Sequence, residues 1–421
     1  VRIENRYNHI FLFCKIERVS KLLIVLLLTA WQPLLAQTLQ TDEALVQRYP
    51  FLRRSQHFLR QSESLEPFFR LLRDRKANGQ RTVQVVHIGD SHIQPDFFGA
   101  MLRQGLQLNF GNAGRGLTFP YQLALSNSPD DISVQSGTSW KFNRLAHPEI
   151  DLPYGISGYG IVADSNRDLR LQFAFRGPSA EASSFTNVRL FGNFIWGDPW
   201  AVLADSGDTL WFSEEPNYPD RLAIQLPHAQ TDLEIWSPAG SEQKALFGIE
   251  FTNDSTGLLY HTIGVNGARV DHFLEAGLFW QQLPALAADL YIVSLGTNDI
   301  QVRHFNKAAW EENLKSLVQK LRASAPGVSI LFTTAPESYQ YRRINPHLRQ
   351  LNESLLAFCA REQVACYDLH TVMSGVGTAH RSRALKLLQK DRVHYTAEGY
   401  RLMGNLLVNA ILSAFEKTTG K

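Results

Sequence analysis

Hydrophobic positions along this chain follow three patterns, and each predicts a different kind of element. The first is an uninterrupted apolar run, LLIVLLLTA at 22–30. Lys15, Arg18 and Lys21 precede it, and Leu34-Leu35-Ala36 and the polar Gln37-Thr38 follow. A basic flank, a short apolar core and a small terminal residue predict a secretory signal peptide over 1–36, cleaved near Ala36. An uncleaved membrane anchor is the alternative. The run is shorter than the ~20 residues of a spanning helix, and Gln32 and Pro33 interrupt its extension. No Cys follows the run, so a lipoprotein route is unsupported. The stretch before Lys21 is long for a signal and the chain opens on Val, which leaves the true start open.

The second pattern is helix and strand in alternation. Residues 42–78 read as helical, with Leu65, Phe68, Leu71 and Leu72 at helical spacing and a stop at Gly79. TVQVVHI at 82–88 then reads as a buried strand, followed by a helix over 96–110. After 257, LLYHTIGV, LYIVSLG, VSILFTTAP and VACYDLH read as strands. Helices are expected between them around 271–285, 307–323 and 345–362. A last helix over 396–415 starts at Thr396, a good N-cap. Strands alternating with helices predict a parallel sheet covered on both faces.

The third pattern fills 128–256. LRLQFAF, NVRLFGNF, RLAIQL, TDLEIW and KALFGIEF are short alternating or apolar runs separated by Gly, Pro, Asn, Asp and Ser. That spacing predicts an all-β sandwich or barrel. The simplest organisation is an N-terminal helical segment (37–80) and one α/β domain (81–127 and 257–421) interrupted by the β domain (128–256). Trp140, Trp196, Trp200, Trp211 and Trp236 lie in the insertion; they either stack on sugar rings or fill its core.

Composition narrows the class. At 421 residues the chain holds two or three domains, at about 150 residues each. A hydrophobic content of 44% excludes wholesale disorder. Lys+Arg 42 against Asp+Glu 40 gives a net charge of +2, so bulk electrostatics favours neither nucleic acid nor an anionic membrane surface. A membrane role is expected only through the signal segment, if it is uncleaved. The 3 cysteines exclude a disulfide-dense scaffold. Cys14 would leave with the signal. Cys359 and Cys366 then either pair in an oxidising compartment or remain two buried thiols.

Ligand and catalytic groups in open α/β sheets sit at the carboxyl ends of strands. The first strand ends in Gly89-Asp90-Ser91-His92, the second in Gly264-Val265-Asn266-Gly267-Ala268 and the third in Gly296-Thr297-Asn298-Asp299. Asp391-Arg392-Val393-His394 precedes the last helix. A hydroxyl, a carboxylate–imidazole pair and several amide donors are what acyl transfer requires. Serine is a weak nucleophile until a base takes its proton. Histidine is the usual base, oriented by a carboxylate. The tetrahedral intermediate needs donors aimed at its oxyanion. Backbone N–H groups at Ser91 and Gly267 and the side-chain amide of Asn298 can supply three.

Blander readings stand beside these. Ser91 could satisfy a turn, Asp391 and His394 could be a surface pair at a helix start, and Asn298 could be a turn residue. Gly264 competes with Gly267. His92 either contacts substrate or supports the site from behind, and Asp299 reads as structural. His87, His261 and His272 lack metal-ligand spacing, so no metal is expected. No phosphate loop or dinucleotide fingerprint appears, and no cofactor is expected.

Gly89-Asp90-Ser91, Gly267, Gly296-x-Asn298-Asp299 and Asp391-x-x-His394, in that order, resemble the four blocks of the SGNH (GDSL-type) hydrolases. The resemblance covers roughly 80–127 and 257–415. It implies a flavodoxin-like three-layer α/β/α fold. It also implies Ser91 as nucleophile, His394 as base, Asp391 as its partner, and Ser91, Gly267 and Asn298 as the oxyanion hole. Asp90 would shape the nucleophile loop, with His92 supporting. His92 departs from the family's usual Leu at that position. GDSH followed by a β-sandwich insertion and a GxNGA-like block resembles the periplasmic peptidoglycan O-acetylesterases, whose insertion is similar to a carbohydrate-binding module. GNAGRGLTFP at 111–120 also looks like bacterial members of that group, with no catalytic role assigned.

The expected function is therefore an exported, periplasmic or secreted, serine esterase. It would remove O-acetyl groups from a polysaccharide, with peptidoglycan favoured. Rivals are an acetyltransferase using the same triad, a catalytically inactive glycan-binding protein, and a lipase or thioesterase. Neither the glycan, the acetylated position nor the oligomeric state is legible in the sequence.

Overall fold

The computed structural model describes residues 39–418, apart from 80, 149–151, 164–165, 195–198, 204–207, 217, 241–242, 342 and 375–385. The expected signal segment and Trp196 lie outside the described residues. Thr41–Lys421 packs as one compact unit. None of the described helices is long and apolar enough to cross a membrane.

The central sheet is built from β1 (Leu59–Arg60), β2 (Val83–Gly89), β3 (Leu258–Gly264), β4 (Leu290–Ser294), β5 (Ser329–Thr333) and β6 (Ala365–Tyr367). Its order is β1-β6-β5-β4-β2-β3. Strands β2 to β6 are parallel, and β1 runs antiparallel on the β6 edge. β3, β5 and β6 are buried at every position, and β2 and β4 at all but one. Their continuous apolar runs follow from a sheet covered on both faces. Taken in chain order, the five parallel strands have the flavodoxin-like order 2-1-3-4-5. The crossover direction reverses between β2 and β4, which is where such sheets open a ligand crevice.

Two groups of helices cover the sheet. Helices α1 (Asp42–Arg48), α2 (Glu66–Asn78), α3 (Phe97–Phe110) and α6 (Ala397–Thr418) pack with one another. The other group is α4 (Lys307–Ser324), α5 (Leu348–Glu362) and the short Val270–Glu275 helix. Helix α2 ends where Gly79 turns left-handed at φ +68 and returns its N–H to the Arg75 carbonyl. Thr396 caps α6 by accepting from the Gly399 N–H at 3.3 Å, as its sequence position suggests. The helix expected across 42–78 is broken between α1 and α2. There, Leu59 and Arg60 pair with Tyr367 and Cys366 and close the open edge of the sheet. Cys359 and Cys366 are both buried and unlinked.

The segment between α3 and β3 forms two antiparallel sheets. One, of seven strands, has Phe185–Asn193 and Lys244–Thr252 at its centre; the other, of five, has Asp232–Ser237 and Leu169–Phe175. Phe173 and Phe175 from the second meet Phe251 from the first at ring distances of 4.9 and 5.1 Å. This is face-to-face sheet packing with alternating inward residues. Gly116–Thr118, from the glycine-rich stretch, pairs with Ile249–Phe251 and ties the end of the α3 connection to the larger sheet. The buried apolar core is continuous from the sandwich into the α/β part, joining Phe251 to Ile263 and Val293.

Candidate active site

The turn after β2 is tight because Gly89 allows it. A Cβ there would lie 2.2 Å from the Ile93 side chain and 3.0 Å from the Ser294 carbonyl. Asp90 organises the next few residues. Its Oδ1 accepts the His92 N–H at 2.9 Å, and its carbonyl accepts the N–H groups of Ile93 and Gln94. Ser91 is thereby held at the carboxyl end of β2, beside the switch point.

The loop before α6 is ordered by Asp391. Its Oδ1 accepts the N–H groups of Val393 and His394, both at 2.9 Å. Its Oδ2 faces His394 Nδ1 at 2.7 Å. Partial burial alone would raise the Asp391 pKa, but the hydrogen bonds from His394 and from the two N–H groups outweigh it and hold it below the usual carboxylate range. An ionised carboxylate only accepts, so Nδ1 carries the ring proton and donates it to Asp391. Nε2 is left as the acceptor, and the Ser91 hydroxyl donates to it at 2.9 Å. Ser91 and His394, 303 residues apart in the chain, thus form one hydrogen-bonded relay with Asp391.

Gly267 sits in the loop after β3 at φ +82, a left-handed conformation suited to glycine. Its neighbours are engaged: Asn266 N–H donates to Gln94 Oε1 at 2.8 Å and Ala268 N–H to the Val265 carbonyl at 3.0 Å. Gly264 has a different position. A Cβ there would lie 2.3 Å from the Gln94 nitrogen, so it permits β3 to pass against the Ser91 loop. Asn298 follows β4. Its Nδ2 donates to the Ala268 carbonyl at 3.0 Å and more weakly to Asp90 Oδ2 at 3.3 Å. The Asn298 amide therefore bridges the loops after β2 and β3.

His92 lies beneath the relay. It is buried, its Nδ1 is 2.9 Å from the Tyr400 hydroxyl, and its ring is 5.7 Å from that of His394. Burial, with the nearby His394, drops its pKa to about 3, so the ring is neutral. Asp299 accepts the Val270 N–H at 3.2 Å. His87 bridges the Tyr260 and Ser294 hydroxyls, and His261 accepts the Leu117 N–H and contacts Gln84. These two are satisfied core histidines. Groups of three or more His, Cys, Asp or Glu placed to hold a metal do not occur among the described residues.

Two groups at the site carry no sequence signature. Gln94 is fully buried and makes four side-chain hydrogen bonds. Its Oε1 accepts from Asn266 N–H and the Tyr159 hydroxyl, and its Nε2 donates to Ser126 Oγ and the Asn127 carbonyl. His147, from the inserted segment, brings Nε2 to 3.3 Å from where a Gly267 Cβ would stand. A lone Gln or His in a loop gives no hint of either placement.

An α/β sheet with this strand order, carrying Ser, Gly, Asn and an Asp–His pair at its strand ends and before its last helix, has the SGNH hydrolase fold. The profile of the GDSL-like lipase/acylhydrolase family matches residues 242–402, which include Gly267, Asn298, Asp391 and His394 but not Ser91. From Leu258 onward the α/β part is thus similar in sequence to that acylhydrolase family. A solved structure of a peptidoglycan O-acetylesterase is similar over 85% of this chain and 99% of its own, at 21% identity and a TM-score of 0.72. A lipase/acylhydrolase from Enterococcus faecalis matches over 37% of this chain and 77% of its own, at 21% identity and a TM-score of 0.30. A GDSL-like lipase from Bacteroides thetaiotaomicron covers 37% and 76%, at 22% identity and a TM-score of 0.30. No curated protein matches the sequence.

Proposed function

We propose that the protein is an exported serine esterase that removes O-acetyl groups from a polysaccharide, with peptidoglycan as the favoured substrate. The observation that carries this is the relay from Ser91 Oγ to His394 Nε2 at 2.9 Å and from His394 Nδ1 to Asp391 Oδ2 at 2.7 Å. Ser91 attacks the acetyl carbonyl and His394 takes its proton. Asp391 holds the tautomer and stabilises the imidazolium. The N–H groups of Ser91 and Gly267 and the Asn298 amide receive the oxyanion. His394 returns the proton to the departing sugar oxygen, leaving an acetyl group on Ser91. Water, activated by His394, then releases acetate. Asp90 supports the chemistry by shaping the Ser91 loop, and His92 by packing under His394.

The substrate reading draws on the similar fold of a peptidoglycan O-acetylesterase, which extends through the inserted sandwich. Export draws on the basic flank and apolar run at 15–36. An acetyltransferase would share the first half-reaction and pass the acetyl group to a sugar hydroxyl.

Acetate release from O-acetylated peptidoglycan and from O-acetylated xylan tests the reading. Release from peptidoglycan is expected, falling by on the order of 10⁴-fold or more in Ser91→Ala and by about 10²–10⁴-fold in Asp391→Asn. Release from xylan alone moves the substrate to plant polysaccharide. Acetyl transfer to an added glycan in place of acetate release identifies the transferase. No release from either polymer or from p-nitrophenyl acetate sinks the esterase.

A further inference from the structure

The hairpin after β5 takes no part in the central sheet or in the bond-making groups, yet it touches both loops that carry those groups. It pairs Tyr339 with Ile344 and Gln340 with Arg343. Tyr339 stands where the two loops meet. Its N–H donates to the Arg392 carbonyl at 3.0 Å, and its ring centroid lies 5.4 Å from Arg392 Cζ. Its carbonyl accepts from Gln301 Nε2 at 3.3 Å. Arg392 lies between Asp391 and His394 in the chain, and Gln301 in the loop that follows Asn298. Neighbours of Tyr339 add to both attachments. The Tyr395 hydroxyl donates to the Glu337 carbonyl at 3.0 Å, Asn345 Nδ2 to the Ile300 carbonyl at 2.9 Å and Gln340 Nε2 to the Val302 carbonyl at 3.3 Å.

The loop before α6 needs such a hold. Arg392 has φ +62, a left-handed conformation that a residue with a Cβ keeps only where its surroundings impose it. That turn brings the Val393 and His394 N–H groups back onto Asp391 Oδ1. Within the loop, the Arg392 N–H donates to the Gln389 carbonyl at 3.2 Å. Its carbonyl and its guanidinium are held from outside, both by Tyr339. Burial gives the relay little help, because the His394 and Asp391 side chains remain 35% and 48% exposed. Contacts with neighbouring loops set their orientation instead. A guanidinium over an aromatic face is attractive even at an exposed site.

We infer that Tyr339 is a positioning residue for ester cleavage: it fixes Arg392, and through it the Asp391–His394 turn, in register with the loop of Asn298. The proton relay and the oxyanion amide come from different parts of the chain and are aligned on one brace. This rests on the reading of Ser91, His394 and Asp391 as the hydrolytic relay. Losing the Tyr339 ring leaves the groups that meet substrate in place and misaligns the base, so its effect falls on kcat rather than KM.

The test uses the full chain and p-nitrophenyl acetate. It compares Tyr339→Ala, Tyr339→Phe, Arg392→Ala and the double variant Tyr339→Ala with Arg392→Ala, taking Tyr341→Ala as control. Tyr341 is 87% exposed at the tip of the same hairpin. Expected is a kcat lowered about tenfold or more by Tyr339→Ala with KM within about twofold, recovered in Tyr339→Phe, which keeps the ring, and unchanged in Tyr341→Ala. Arg392→Ala should reproduce the loss from the other side of the contact, which keeps the test open if Tyr339→Ala fails to fold. The double variant should lose no more than either single one. An unchanged kcat in Tyr339→Ala overturns the brace, as do additive losses in the double variant or an equal loss in Tyr341→Ala. Nitrogen-15 shifts of the His394 ring, assigned by their absence in His394→Gln, give a readout free of turnover. Tyr339→Ala should mix the Nε2–H tautomer into the Nδ1–H form, and ring shifts identical to those of the unmutated protein overturn the brace. Mixing in a protein whose unmutated form cleaves no ester leaves the brace standing and removes the esterase reading.

Discussion

Three aspartates around Ser91 show how placement divides one residue type. Asp391, half exposed and bonded to His394 and two N–H groups, is held below the usual range. Asp90 and Asp299, buried behind the strand ends, are both pushed up to about 7, first by burial. The charge of Asp299 adds to the shift at Asp90. Asp299 has a consequence for stability. Between about pH 4 and 7 the folded protein keeps a proton there that the unfolded chain has released, so stability falls as pH rises through that window, by at most about 1.4 kcal/mol per pH unit. Asp299→Asn keeps an acceptor for Val270 N–H and removes the titration. Urea unfolding at pH 5, 6, 7 and 8 should show the variant gaining on the unmutated protein as pH rises. Parallel curves would sink this account.

Among the loops, the one after β2 depends on partners contributed by distant elements. Gln94 joins it to the Gly267 loop through Asn266, to Ser126 and Asn127 just before the insertion, and to the insertion itself through Tyr159. Asp96, two residues on, accepts from Arg103 of α3 at 2.8 Å and from the buried Arg115 at 2.7 Å. Arg115 belongs to the glycine-rich stretch 111–120 and also reaches Asp131. That stretch therefore has an anchoring role: it connects the loop that carries Ser91 to the start of the sandwich. Gln94→Ala leaves Asn266 N–H without its acceptor and frees the Gly267 loop. A displacement of about 1 Å can cost about 10² in rate. Turnover of p-nitrophenyl acetate should fall by about 10²-fold with little change in KM. A lower melting temperature with turnover intact would mean that Gln94 serves stability alone.

Across the molecule, sandwich and α/β sheet share one apolar core rather than meeting at a polar boundary. Arg189 reinforces the junction: from the sandwich it donates to the Ala285 carbonyl of the α/β part, while pairing with Glu215 and Glu250. Interfaces of this apolar kind couple the parts they join, unlike the more polar contacts between separable domains. Calorimetry should therefore show one cooperative transition. Two resolved transitions would show that the sandwich unfolds independently.

The parallel strands and the sandwich strands were legible because burial on two faces, or on alternate residues, leaves a periodic mark on a short stretch of chain. The candidate site residues were legible because Gly89-Asp90-Ser91, Gly267, Asn298 and Asp391–His394 each stand at a strand end or helix start. The break at Leu59–Arg60 left no such mark, since it exists for the open edge of β6 and not for its own neighbours in sequence. Nor did Gln94, Arg115, His147 or Tyr339, whose partners lie in other elements. Local pattern reports what each segment buries. Which of those segments meet, and what their side chains do to one another's protons, is set by packing between residues that the chain keeps far apart.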